Sequence, residues 1–277
     1  MLTAFICTFF INCNEKLNYV NAKNSTECNA PDSIQQTTYP YLPLKNKNEI
    51  RVMVIDSGVE GHTKLKPYMP EYNQNHINYS DTHGGHGTHV AGIVLYGNKN
   101  KESKDLDKNA VCKNVKLYSC NYIKPGSINT IDDEIECFKL ALEKRIDIVN
   151  FSSSGTGISQ KEKEIFSKYV DTGGIIVVSA GNNTLNVSLS NIYPAKYAVD
   201  FTPIRGVYPI SSLRKNAKSP KDYYYNSNYH SSFYSEIGEE VFSTFLNDTY
   251  TYKTGTSQAA PAFTYRLLKK KCEELNE

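Results

Sequence analysis

Three residues of this 277-residue chain have side chains suited to nucleophilic chemistry and lie at places where such chemistry can be assisted: Asp56, His86 and Ser257. Ser257 sits in Gly255-Thr256-Ser257-Gln258-Ala259-Ala260-Pro261. The segment that follows, residues 259–275, is built of good helix formers and carries Lys269, Lys270 and Lys271 towards its end, as a helix C-terminus prefers. Ser257 therefore falls in the first turn of a helix. Backbone N–H groups there have no partner within the helix and the dipole is positive, so negative charge developing beside the hydroxyl is stabilised. Pro261 fits the same picture, because proline is tolerated near a helix start, where a missing N–H costs least. Taken alone, Gly-Thr-Ser is a helix cap and no more. A serine hydroxyl becomes a useful nucleophile only with a base within hydrogen-bond reach.

The elements that must bring such partners together follow from hydrophobic periodicity. Residues 50–55 form a compact, β-branched run broken only by Arg51 and closed by Asp56-Ser57-Gly58, the pattern of a buried parallel strand. Asp56 lies at its carboxyl end, where open α/β sheets place ligands. His83-Gly84-Gly85-His86-Gly87-Thr88-His89 opens a helix whose apolar face includes Val90, Ile93 and Val94, which places His86 at the helix mouth. The three histidines lack the spacing of a His-Glu-x-x-His zinc helix and have no acidic ligand beside them, so His89 is expected to be packed and not liganded.

Residues 113–122 predict a second strand and residues 130–145 a helix with a capping box, Thr130 with Asp133. Residues 147–151 predict a third strand, ending in Ser152-Ser153-Ser154-Gly155. A second capping box, Ser159 with Glu162, opens another helix. Residues 174–179 predict a fourth strand, ending in Ala180-Gly181-Asn182-Asn183. Alternating strands and helices with short connections predict an α/β fold, a parallel sheet covered by helices on both faces. Further strands are expected at 197–204 and 241–245, with a tyrosine-rich surface loop at 223–229 between them.

Composition narrows the partners. A net charge of +2 gives no footprint for nucleic acid. The length suits one large domain, and a monomer is expected. Residues 2–11 are an almost unbroken apolar run, too short to cross a bilayer as a helix, so residues 1–13 read as a signal peptide or lipoprotein signal and export is expected. No Lys or Arg precedes the run and no small-x-small cleavage site follows it. Phe10-Ile11-Asn12-Cys13 loosely matches a lipoprotein signal, and membrane attachment is expected only through a lipid on Cys13. Residues 14–48 are polar and proline-bearing, an irregular lead-in to a catalytic domain over 49–277. With Cys7 and Cys13 set aside, five cysteines remain, an odd number. In an oxidising compartment one or two disulfides are expected among Cys112, Cys120 and Cys137, with connectivity left open.

An aspartate at a strand end and a histidine and a serine at helix mouths come in the chain order Asp, His, Ser. Around them stand Val54-Ile55-Asp56-Ser57-Gly58, His86-Gly87-Thr88-His89-Val90-Ala91-Gly92, Ser179-Ala180-Gly181-Asn182 and Gly255-Thr256-Ser257-x-Ala259-x-Pro261. Four such motifs, in this order and at compatible spacing, resemble the subtilisin-like serine proteases over residues 50–268. The resemblance implies a three-layer α/β/α fold and an endopeptidase in which Ser257 attacks the peptide carbonyl. His86 would take and return the proton, and Asp56 would fix the imidazole tautomer. Asn182 would point its amide at the developing oxyanion beside the Ser257 N–H.

By the same resemblance a polypeptide substrate lies extended along Ser152, Ser153 and Ser154, near Gly181, and along a second segment at Gly126. The family usually has an apolar residue and then glycine where Ser153 and Ser154 stand, a change that narrows the first substrate pocket. No cofactor is required for the chemistry. Structural calcium is common in the family, but no carboxylate-rich loop is assignable here. The lead-in leaves no room for a folding-assistant propeptide, and the chain stops soon after the serine-bearing helix, where relatives usually continue; lower stability is expected. Two rivals are a catalytically silent fold kept as a binding module and an esterase or acyltransferase using the same three residues.

Overall fold

A computed structural model describes residues 39–46, 48–98, 106–124 and 130–275. The expected signal, most of the lead-in, Cys7, Cys13, Cys28 and Gly126 lie outside the described residues. The chain runs β1 (Ile50–Asp56), α1 (His86–Tyr96), β2 (Val115–Asn121), α2 (Ile131–Glu143), β3 (Ile148–Phe151), β4 (Gly155–Thr156), α3 (Gln160–Asp171) and β5 (Ile175–Ser179). It continues with β6 (Ile192–Tyr193), β7 (Val207–Leu213), β8 (Tyr234–Ile237), β9 (Val241–Phe245), β10 (Thr249–Lys253) and α4 (Thr256–Leu275).

Six strands form one parallel sheet in the order β2-β1-β3-β5-β7-β8. Strand β1 alternates between the two faces of the sheet, as a two-residue side-chain period requires. Val52 and Val54 pack with Val90, Val94, Ala260 and Phe263 of α1 and α4. Met53 and Ile55 pack with Phe138, Ile165 and Phe166 of α2 and α3. The result is the expected α/β/α sandwich. β1 lies between β2 and β3, so the chain leaves β1 in one direction and returns across it, and ligand crevices of open sheets form at that reversal. Asp56 ends β1 and Ser152 follows β3, on either side of it.

Local chemistry explains where the sequence is obeyed and where it is not. Thr130 and Asp133 form the expected capping box on α2. At α3 only half of one forms: Ser159 accepts from the Glu162 N–H at 3.2 Å, while the Glu162 carboxylate turns inward to take the Tyr197 hydroxyl at 2.7 Å. That contact helps to correct the strand expected at 197–204. Tyr197 is wholly buried and belongs to a short 3-10 turn, Ala195–Ala198, and the strand is β7 instead. Pro209 hides β7 in the sequence, because proline argues against a central strand. It is tolerated because β8 pairs with β7 only from Ile210 onward. Strand β9 stands where expected but pairs antiparallel with β10, and this hairpin delivers the chain to Gly255.

Among the described residues the disulfides are Cys120–Cys137 and Cys112–Cys272. The first falls within the expected trio; the second brings in Cys272 from α4. Residues 39–46 are irregular, as expected, yet they are bound to the domain. Leu42 is buried in the core beneath α4, and the Lys45 amide donates to Asp147 at 2.8 Å. Among the described residues no helix is long and apolar enough to cross a membrane.

Candidate active site

Asp56 is 3% exposed at the end of β1, and its Oδ1 lies 2.7 Å from Nδ1 of His86. The same oxygen accepts the Ser57 N–H at 2.8 Å. His86 reaches Asp56 because the first turn of α1 sits directly on the loop after β1. A side chain at Gly87 would begin 2.1 Å from the Gly58 carbonyl, so only glycine permits that approach. The Ser57 hydroxyl accepts from Gly87 N and donates to Asp81, whose carboxylate also accepts from Gly85 N, Thr88 N and the Thr88 hydroxyl. Asp81 and Ser57 thus share the exposed N–H groups at the start of the helix that carries His86. Sequence reasoning passed Asp81 over, although an acidic residue a few positions before a helix start is a capping signal.

Burial opposes protonation of His86, and the charge and hydrogen bond of Asp56 outweigh it, so the imidazole pKa stands above its ordinary value. Lys253 pulls the other way and Asp81 adds to the rise. His89 differs. Burial pushes it down to about 3, and its Nε2 faces the Val241 and Thr251 carbonyls at 3.1 and 3.2 Å. Among the described residues no three His, Cys, Asp or Glu side chains are grouped to hold a metal ion.

Ser257 occupies the first turn of α4, as expected. Pro261, however, lies inside the helix, one turn past Ser257, and cannot supply the N–H that the Ser257 carbonyl would normally accept. The Ser152 hydroxyl takes that place, donating to Ser257 O at 3.2 Å. The Ser257 hydroxyl in turn donates to Ser152 O at 3.3 Å, and this is its hydrogen bond in the structure, instead of one to His86. Around the turn, Thr256 N donates to Asn182, and Gln258 N and Ala259 N donate to Gly255 O. The Ser257 N–H has no partner among the described residues.

Asn182 approaches from the loop after β5. Its Oδ1 accepts both the Thr256 N–H, at 2.9 Å, and the Thr256 hydroxyl, at 3.1 Å, which leaves its Nδ2 as the free end of the amide. Thr256 is fully buried, and its hydroxyl also accepts from Gly181 N at 3.2 Å. Nothing in the sequence marks Thr256 beyond its place next to Ser257. Of the residues expected along the substrate, Ser152 is tied to Ser257 as described. Ser153 receives the Tyr122 hydroxyl at 2.9 Å and its carbonyl accepts from Ser179, while Ser154 is exposed.

The comparisons with known proteins bear on the family and the fold. A sequence profile of the subtilase family matches residues 47–269. The chain belongs to the subtilase family. This subtilase is 29% identical over 222 residues to subtilisin-like protease 3 of Plasmodium falciparum, an alignment covering 73% of this chain and 28% of that protein. It is 28% identical over 225 residues to subtilisin DY of Bacillus licheniformis, covering 76% of this chain and 73% of the relative. The chain thus corresponds to little more than a quarter of the Plasmodium protein. Among solved structures, a cold-adapted subtilisin-like serine proteinase superposes with a TM-score of 0.64 at 21% identity, covering 87% of this chain and 84% of the other. At that identity the likeness concerns the fold.

Proposed function

We propose that this subtilase is an exported serine endopeptidase in which Asp56, His86 and Ser257 act together. The observation that carries the reading is the 2.7 Å contact between His86 Nδ1 and Asp56, because it commits one ring nitrogen and leaves Nε2 to work as the base. The Ser257 hydroxyl turns from the Ser152 carbonyl towards Nε2, gives up its proton and attacks the scissile carbonyl carbon. The carbonyl π electrons move onto oxygen. Asn182 Nδ2 and the Ser257 N–H, neither of them partnered among the described residues, receive that oxyanion. Collapse of the intermediate breaks the C–N bond, and the imidazolium returns its proton to the departing amine. Water then repeats the sequence on the acyl-enzyme, and a carboxylic acid leaves. The polypeptide lies extended along residues 152–154, with Ser153 narrowing its groove. Two disulfides support an oxidising compartment, and with it export.

The test is covalent labelling by a fluorophosphonate probe. Wild type is expected to label, Ser257→Ala to lose all label, His86→Ala to lose nearly all, and Ser231→Ala, on an exposed turn, to behave as wild type. No labelling of folded wild type would overturn the reading in favour of a silent binding module. Labelling with turnover of small esters but of no polypeptide would point to an esterase.

A further inference from the structure

Asn182 is exposed, so packing does not fix where its amide points. Thr256 holds its Oδ1, and its two flanking peptide groups are held by a single residue 46 positions along the chain. The Asn228 N–H donates to Gly181 O at 2.9 Å, fixing the peptide that enters Asn182. The Asn228 side-chain Oδ1 accepts from Asn183 N at 2.9 Å, fixing the peptide that leaves it. Oδ1 also accepts from Leu185 N at 2.9 Å, and Nδ2 donates to Ala180 O at 3.0 Å.

Asn228 is fully buried, and every polar atom of its amide is used on this one loop. The fit is close on both sides: a side chain at Gly181 would begin 2.5 Å from Asn228 Nδ2. The neighbouring residues extend the grip. Thr184, a β-branched residue at φ 59°, donates its N–H to Asn226 O and its hydroxyl to Tyr225 O. Such a conformation persists only where its surroundings over-determine it. Asn228 is itself anchored, since Ser227 donates its hydroxyl to Asn228 O and accepts from Ser212 N on β7.

We propose that Asn228 is a positioning residue for the reaction: by holding both peptide groups of Asn182, it presents the Asn182 amide already aimed at the oxyanion. The inference rests on the proposed role of Asn182. A donor that must be ordered during the reaction loses the advantage of one placed beforehand. Removing Asn228 should therefore lower kcat and leave KM nearly unchanged, whereas damage to the substrate groove would raise KM.

The experiment is a double-mutant cycle on peptide hydrolysis with Asn228→Ala and Asn182→Ala, alongside thermal melts. Asn182→Ala is expected to lower kcat by about 100- to 1,000-fold, the cost known for such a donor in this enzyme family. Asn228→Ala is expected to lower kcat at least about 10-fold with Asn182 present and less than about 3-fold with Asn182 absent, because coupled residues are not additive. An equal loss in both backgrounds would overturn the proposal and leave Asn182 in its role. No loss in Asn182→Ala would instead overturn the reading on which the proposal rests. If Asn228→Ala does not fold, Asn228→Leu carries the same cycle, since it keeps the bulk of the side chain and loses the acceptor that holds Asn183 N.

Discussion

Ser152 and Ser257 are bonded in both directions: the hydroxyl of each donates to the carbonyl of the other, at 3.2 and 3.3 Å. The pair joins the end of β3 to the first turn of α4. It also satisfies the carbonyl that Pro261 deprives of a helical donor.

That exchange predicts a rescue. Ser152→Ala should destabilise the domain by about 1–3 kcal/mol, the cost of a buried polar group left without its partner. In a Pro261→Ala background, where residue 261 regains an N–H for Ser257 O, the same change should cost distinctly less. Urea unfolding of the four proteins measures the difference, and equal costs would show that Ser152 does not compensate for the proline.

Lys253, at the end of β10, lowers the pKa of His86 against the pull of Asp56 and Asp81. Removing the cation by Lys253→Met should raise the imidazole pKa. The base must be neutral to accept the Ser257 proton, so the low-pH limb of kcat/KM should move to higher pH. An unmoved limb would mean that solvent screens the ammonium from the ring.

Glu134 of α2 and Glu162 of α3 face one another across the outer helical layer. Burial and the Glu162 carboxylate push Glu134 from an ordinary 4.5 up to about 8, and its buried Oε2 has no donor. Between those pH values the folded state holds a proton that the unfolded chain has released. The stabilisation is complete below about 4.5 and is lost as pH rises through about 8, so stability should fall across that window. Glu134→Gln should flatten the fall in melting temperature, and an unchanged slope would assign it to other groups.

The sheet and the places of Asp56, His86 and Ser257 in the fold were legible because each sits at the end of a strongly patterned segment. Asp56 closes a β-branched run, His86 opens a glycine-marked helix and Ser257 precedes a long helix. Strand β7 was not legible, because Pro209 carries a local signal that tertiary pairing overrides. The groups that aim the site were harder still. Thr256 reaches Asn182, Asn228 brackets it and Ser152 serves the proline-broken turn of α4, each across tens of residues, and no periodicity within one segment encodes such a bond. The Cys112–Cys272 link escaped for the same reason.

A protein with the proposed activity is exposed to its own kind. The Cys112–Cys272 bridge encloses 160 residues of separation and spans Asn182, Asn228 and Ser257. One break in the backbone anywhere inside that span leaves both pieces on a single covalent frame. A nicked molecule would migrate as intact chain until a reductant parted it.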